Sequence, residues 1–333
     1  MKILSQPENI ENYKRYLSVI KYIREFLDGR KYLEIDLPVL SPALIPESYL
    51  EIFETTFIYL DKKEKLYLTP SPELFLKRLI AGGIGDCYYL GKSFRNSEPN
   101  SPKHNPEFTM LEFYKIGEDY KFMAKEILRM LSFLSQKLFK RNYIVYKDQK
   151  ISFDKWEEFT IAQVFEKYSN ISEEELFNEE KFIKRAREKG YKTKGFSYEE
   201  VWSQIYTQEI EPKMGFNGHP TILYDYPLQF ATLCQPNKDG KTARRFEFYI
   251  CGVELGNCYG ELTEFKVQKL RLEKDYQERM RSGKISHPVD WGFIKMMEKG
   301  LPKSTGIAIG IDRLSMILAK VDNINDLKLI NLI

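Results

Sequence analysis

Cysteine and histidine are scarce in this 333-residue chain, with four of the first and three of the second. Cys87, Cys234, Cys251 and Cys258 form no Cys-x-x-Cys pair and no disulfide framework, so free buried thiols in a reducing cytoplasm are expected. His104, His219 and His287 are too scattered to make a metal site. No run of eighteen apolar residues exists, so no membrane-spanning helix and no membrane partner are expected. The first residues, Met-Lys-Ile-Leu-Ser-Gln-Pro-Glu-Asn, lack the apolar core of a secretory signal. An excess of either charge is also missing. Lys and Arg number 51 against 48 Asp and Glu, and the net +3 is too weak to argue for a nucleic-acid surface. No internal repeat or low-complexity segment appears. What is present is a globular composition, 43% hydrophobic and 30% charged, long enough for one large domain or two ordinary ones.

The most informative stretch runs from Phe94 to Tyr114. Arg95 closes an apolar run, Cys87 to Phe94, and a Pro/Asn/Ser-rich loop follows before a strand pattern from Glu107 to Tyr114. Strand side chains alternate, so Phe108, Met110, Glu112 and Tyr114 share one face, with Arg95 and His104 on the loop at its edge. A ring can stack a base, an arginine can fork onto carboxylate and phosphate, and a buried carboxylate can hold an ammonium. The plainer alternative is an amphipathic hairpin with a solvated loop.

Before it, residues 8 to 27 have helical spacing at Ile10, Tyr13, Leu17, Ile20 and Leu27, with Pro7 in front and Gly29 behind. Tyr32 to Leu40 predicts a strand broken at Pro38. Tyr67-Leu-Thr-Pro-Ser-Pro-Glu leads into a helix over Glu73 to Ala81, stopped by Gly82-Gly83, with Ser71 at the N-cap position. There Glu73 is either first-turn capping chemistry or a carboxylate offered to a substrate ammonium. Gly85 to Ser93 is rejected as a phosphate loop, because its glycine spacing is wrong and aromatics stand where backbone amides should cradle phosphate. A helix is expected over Asp119 to Phe139, with Ile127, Leu131, Leu134 and Leu138 on one stripe. Residues 140 to 215 predict an insertion with short helices near 160–168, 173–189 and 198–206.

Two later stretches carry chemistry. In 243–262, Cys251-Gly252 predicts a two-residue hairpin turn, pairing Ile250 with Val253, Tyr249 with Glu254 and Glu247 with Gly256. Glu247 and Glu254 are then diagonal neighbours on one face with Arg245 and Tyr249, and Gly256 leaves room beside them. Two such carboxylates can share Mg2+; a solvated acidic face is the alternative. In 306–318, Gly306, Ala308 and Gly310 are all small on one face of a strand, and isoleucines fill the other. Asp312 can cap the following helix. Arg313 in its first turn opposes the helix dipole and points to a negative ligand.

These three stretches, in order, resemble motif 2, the metal strand and motif 3 of class II lysyl-tRNA synthetases, of the lysyl/aspartyl/asparaginyl group. The helix and Pro38 strand resemble motif 1, the family's dimer interface. The resemblance implies an α+β fold, an antiparallel sheet flanked by helices, forming a single catalytic domain over 1–333 with a helical insertion at about 140–215. Only about thirty residues precede the Pro38 strand, so no N-terminal OB-type anticodon-binding barrel is expected. Lysyl-tRNA synthetases usually read Gly-x-Gly-x-Gly in motif 3, and here the middle position is Ala308. Both features, with Asn105-Pro-Glu-Phe-Thr-Met-Leu-Glu, resemble the stand-alone paralogues that lysylate elongation factor P, the elongation factor P–(R)-β-lysine ligases. One departure is Arg95-Asn-Ser-Glu in place of Arg-Asn-Glu, so either Ser97 or Glu98 takes the adenine-recognition role.

By resemblance, Arg95 and Arg313 are catalytic and bind phosphates. Asn96, Ser97, Glu98, His104, Asn105, Phe108, Glu254, Leu255 and Gly310 complete the ATP site, with Phe108 stacking adenine. Glu247 and Glu254 hold Mg2+. Ser71, Pro72, Glu73, Glu112, Tyr114, Asn257, Glu261 and Ala308 surround the amino acid. The implied protein is a cytoplasmic, homodimeric ligase using ATP and Mg2+ to activate (R)-β-lysine or lysine, with elongation factor P as protein substrate and no stable tRNA partner. The rivals are an enzyme that charges tRNA and a catalytically silent regulatory paralogue.

Overall fold

The computed structural model describes residues 2–47, 49–97 and 101–331. The chain divides into two compact units, residues 1–119 with 261–333, and residues 120–260. The fold is α+β, and each unit carries its own share of mainly antiparallel strands with helices.

In the first unit the strands run in the order Ser304–Gly310, Glu107–Ile116, Cys87–Phe94, Leu33–Glu34. The first three are antiparallel neighbours; the last adds in parallel to Cys87 and Tyr88. Glu107–Ile116 sits in the middle, which explains its apolar richness: Met110, Leu111, Phe113 and Tyr114 are all buried. Ile307, Ile309 and Ile311 enter the core as the alternation predicted. The helix Glu73–Ala81 has the expected bounds and ends at Gly82. Gly91 and Lys92 lie inside the Cys87–Phe94 strand, so no phosphate loop exists there.

At the start of the chain one expectation needs correction, the apolar stripe that the first helix buries. The first helix, Pro7–Asp28, forms with proline in its first turn, but it buries Tyr16, Val19, Ile23, Phe26 and Leu27. The helix carries two apolar stripes at the same spacing, and the core takes the second. Ile10 and Leu17 stay 38% and 45% exposed. The Tyr32–Leu40 strand is broken around Pro38, as expected. It reduces to Leu33–Glu34 and Leu40–Ser41, and the latter pairs with Tyr67 and Leu68 in a separate three-stranded sheet. Pro38 has no N–H to give a ladder, so pairing lapses around it.

In the second unit the order is Glu157–Thr160, Thr221–Pro227, Thr242–Ile250, Val253–Gly260, parallel for the first pair and antiparallel thereafter. The helix Tyr120–Phe139 belongs here. The 140–215 segment is helical as expected over Ile161–Ser169, Glu173–Leu176, Glu179–Glu188 and Tyr198–Ile210. Thr160, Ser172 and Ser197 begin three of these helices with reciprocal capping boxes. Phe165, Phe182, Trp202 and Tyr206 pack on Leu223, Tyr226 and Tyr249 of this unit's sheet. The segment also contains an unanticipated hairpin, Tyr143–Tyr146 with Gln149–Ser152. Its turn is Lys147-Asp148, both at positive φ (49 and 58), so no glycine announced it. No helix among the described residues is long and apolar enough to cross a membrane.

Candidate active site

The candidate residues of the first unit form a buried carboxylate cluster. Glu112 lies mid-strand, where its Oε1 accepts from the Tyr114 hydroxyl at 2.7 Å and its Oε2 from Ser71 Oγ at 2.8 Å. Ser71 Oγ in turn accepts the Glu73 N–H at 3.1 Å, so it serves the helix start and Glu112 together. The N-cap position itself is Pro72, not Ser71. Burial, then the charge of Glu73, pushes the Glu112 carboxyl up to about 8. Glu261 is pushed up to about 7, by burial first, with Lys77 opposing and Glu73 adding.

The small-residue strand forms one wall. Gly306 pairs with Tyr114 and Ala308 with Glu112. A Cβ on Gly306 would stand 2.3 Å from the Tyr114 ring and 2.7 Å from Glu261 Oε1, so only glycine fits. At Gly310 the nearest atoms would be 3.8 Å away, so among the described residues nothing requires glycine there.

Arg95 and Phe108 meet as expected. The Arg95 guanidinium lies 5.3 Å from the centre of the half-buried Phe108 ring, and its buried Nε has no hydrogen-bond partner among the described residues. Arg313 donates to the Lys103 carbonyl at 3.1 Å and to His104 Nε2 at 2.6 Å. Since an arginine nitrogen only donates, His104 holds its proton on Nδ1, facing Ser101 Oγ at 2.9 Å. Asn105 turns its amide to Asn325. Asn96 bonds the Ile52 carbonyl and the Ser97 N–H, and Ser97 is exposed at φ 60. Glu98 lies outside the described residues. Asp312 does not cap its helix; Gly310 holds that position, and Asp312 is buried in an ion pair with Lys328 at 3.1 Å.

In the second unit, the hairpin turn at Cys251-Gly252 is as predicted, with φ 47 and 69. The register is not. A bulge between Phe248 and Tyr249 pairs Phe248 with Gly256 and Glu247 with Asn257. Tyr249 still faces Glu254, so the carboxylates remain diagonal neighbours, but Asn257, not Gly256, flanks Glu247. The extra residue puts Glu254 and Asn257 on one face, which an unbroken strand could not do. Leu255 sends its side chain into the core.

Glu247 is thoroughly held. Its Oε1 accepts from Arg245 at 2.6 Å, and its Oε2 from Tyr226 at 2.6 Å and from Tyr249. Tyr206, from the helical segment, bonds both phenols, at 3.1 Å to Tyr226 and 2.6 Å to Tyr249. Arg245 also donates to Asn257 Oδ1 at 3.1 Å. Burial pushes the Glu247 carboxyl up, Arg245 opposes this, and Glu254 adds to it. A carboxylate has about four lone-pair sites. Among the described residues three are used here, so Oε1 retains one. Among the described residues no group of three or more His, Cys, Asp or Glu could hold a metal. Two carboxylates nevertheless suit Mg2+, which commonly binds one or two together with substrate phosphates.

Sequence inspection missed two residues. Lys77 lies on the helix's inner stripe with Leu74 and Ile80, four residues after Glu73; a lysine on an apolar stripe was the available signal. Glu47 had none: burial raises its carboxyl to about 7, with Arg95 opposing and Glu73 adding. Its segment is held by the buried Arg279, which donates to the carbonyls of Glu47 and Leu50 at 2.7 Å each.

Residues 1–330 match the family described as tRNA synthetases class II (D, K and N). The chain is 33% identical to an elongation factor P–(R)-β-lysine ligase of Proteus mirabilis, over 96% of this chain and 95% of that relative. It is 32% identical to a lysine–tRNA ligase of Clostridium perfringens, over 97% of this chain but 64% of the relative's length. A similar ligase of Clostridium tetani is 33% identical over 95% of this chain and 63% of its own length.

Proposed function

The chain belongs to the class II tRNA synthetases of the aspartate, lysine and asparagine group, and from that membership we propose that it activates a lysine-type diamino acid with ATP and transfers it to a lysine amine of elongation factor P. The observation that carries the substrate class is the cluster of buried Glu112 and Glu261 with half-buried Glu73, Glu112 lying across from Ala308, since such carboxylates pair with ammonium groups. Activation joins the substrate carboxylate to the α-phosphorus and releases pyrophosphate, which needs positioning and charge neutralisation more than proton transfer. Arg95 orients the carboxylate and α-phosphate, Arg313 meets phosphate, and Phe108 stacks adenine. His104, Asn105, Asn96 and Gly310 line the ATP site, and Ser97 or Glu98 takes the adenine-recognition role. Tyr114, Ser71 and Pro72 shape the amino-acid site. Glu247 and Glu254 would hold Mg2+, which neutralises triphosphate charge. Both units belong to one cytoplasmic catalytic domain.

Two features favour elongation factor P over tRNA: the Proteus mirabilis match runs nearly end to end in both chains, and Ala308 stands in place of a glycine. ATP–pyrophosphate exchange with lysine isomers tests activation and separates it from a silent regulatory paralogue. Incubating the adenylate-forming enzyme with elongation factor P or with lysine tRNA tests the acceptor. Transfer to tRNA alone sinks the proposal in favour of tRNA charging.

Ala308 sets the isomer preference. Its methyl stands across from Glu112 and crowds an α-ammonium, whereas a β-amino acid carries its ammonium one carbon further along. A single methyl discriminates by about 1–3 kcal/mol. The wild type is expected to prefer (R)-β-lysine in kcat/KM for adenylation, and Ala308→Gly to narrow the gap. An unchanged ratio removes Ala308 from the specificity account.

A homodimer is also proposed. The first helix leaves Ile10 and Leu17 exposed, and Leu33 and Leu40 are 52% and 41% exposed beyond it. A second copy would bury this apolar band. Light scattering at micromolar concentration should give twice the chain mass; a monomer mass contradicts it.

A further inference from the structure

The carboxylate cluster contains its own cation. Lys77 is 2% exposed, and its Nζ lies 2.5 Å from Glu73 Oε1 and 2.5 Å from Glu261 Oε2. An exposed i,i+4 pair would be a minor surface feature. Here the ammonium is buried and tied to a second carboxylate far along the chain. Burial alone would lower the Lys77 ammonium, but Glu261 and then Glu73 outweigh it and hold it above its usual range. With all three carboxylates ionised, as they are when ammonium groups face them, Glu73, Glu112 and Glu261 carry −3 and Lys77 +1, which leaves −2; without such partners, burial and mutual repulsion favour keeping part of that charge protonated.

We propose that Lys77 is a specificity-determining residue whose ammonium sets the cluster at two negative charges, the number that the two ammonium groups of one diamino acid neutralise. The inference rests on the proposed diamino-acid reading of this site. Without Lys77 the cluster would carry three negative charges, two of them on buried side chains. Its carboxylates would then be driven further toward protonation, because Lys77 is the first cause opposing the rise at Glu261 and adds to the Tyr114 and Ser71 hydrogen bonds that oppose it at Glu112. Glu47 and Arg95 also bear on the cluster through Glu73, and Tyr114 stays protonated because burial pushes its phenol up. Lys77 also fixes the Glu73 and Glu261 carboxylates in place, so it acts on the substrate through them.

The test is pyrophosphate exchange by the full chain with (R)-β-lysine and α-lysine, in wild type, Lys77→Met, Glu261→Gln and the double variant. Wild type without exchange on either isomer refutes the diamino-acid reading itself, independently of Lys77. With wild type active, Lys77→Met should raise the amino-acid KM about 30-fold or more, as expected for truncating one partner of a buried ion pair. Its kcat/KM should lose its acid limb only at higher pH, by at least about one unit. Methylammonium should partly restore its activity in a saturable way. Glu261→Gln alone leaves −1 and should bind a diamino acid poorly. The double variant restores −2 and should have a lower KM than either single variant. If Lys77→Met fails to fold, the double variant against Glu261→Gln decides. A Lys77→Met enzyme with wild-type KM and pH profile overturns the proposal, as does a double variant no better than Glu261→Gln.

Discussion

Arg95→Lys is expected to lower ATP–pyrophosphate exchange by about a thousandfold, in line with removing a preorganised donor from developing charge. The loss should arise from geometry rather than charge. A guanidinium presents a planar fork able to meet a carboxylate and an α-phosphate oxygen together, while an ammonium is a compact point charge. The surroundings already hold the fork in place. Its plane sits near the Phe108 ring, and its buried Nε has no acceptor among the described residues. A buried donor left open is costly unless a ligand supplies the acceptor. The backbone anchor, Arg95 N–H to the Pro106 carbonyl at 2.9 Å, does not involve the side chain. Arg95→Lys should therefore melt within a degree or two of wild type, and the exchange defect should lie in kcat. Exchange within a few-fold of wild type would show that Arg95 merely decorates the loop.

What could be read from the sequence was what is locally determined. The Glu73–Ala81 helix, the Cys87–Phe94 and Glu107–Ile116 strands and the Cys251-Gly252 turn follow from periodicity and turn chemistry, and the structure has them. The face shared by Glu112 and Tyr114 follows from alternation, and their hydrogen bond agrees with it. The bulge opposite Phe248 and Tyr249 had no such mark, because its extra residue, Leu255, takes no positive φ. Its consequence was the exchange of Gly256 for Asn257 beside Glu247. The first helix was misread for a different reason: two stripes of equal spacing compete, and only tertiary packing chooses between them. Lys77 shows the limit most clearly. Its bond to Glu73 is local, four residues away, but Glu261 joins from beyond the end of the Val253–Gly260 strand, and no periodicity reports that meeting.

The carboxylate pair in the second unit should separate chemistry from stability. Glu254→Gln is expected to abolish adenylate formation while the melting temperature stays near that of wild type, because a half-buried side chain at the hairpin's end tolerates an isosteric amide. Glu247→Gln should abolish it too and also destabilise the protein. Glu247 accepts three hydrogen bonds, from Arg245, Tyr226 and Tyr249, and an amide has one acceptor oxygen. If that oxygen keeps the phenols, the amide N–H groups face the Arg245 guanidinium, donor against donor. If it turns to Arg245, both phenols lose their acceptor, and Tyr206, which bonds both, is disturbed as well. Breaking a buried charged pair costs roughly 3–5 kcal/mol, so a melting temperature several degrees lower is expected, together with weaker packing of Trp202, which stacks on Tyr206 at 4.5 Å. Near-ultraviolet circular dichroism and thermal melting check this, beside exchange measured over a Mg2+ titration. If the pair holds the ion, neither variant recovers at high Mg2+, since the missing charge is the ligand itself. Wild-type exchange by either variant removes the pair from the metal site. A Glu247→Gln protein as stable as wild type would show that the tyrosine triad does not depend on that carboxylate.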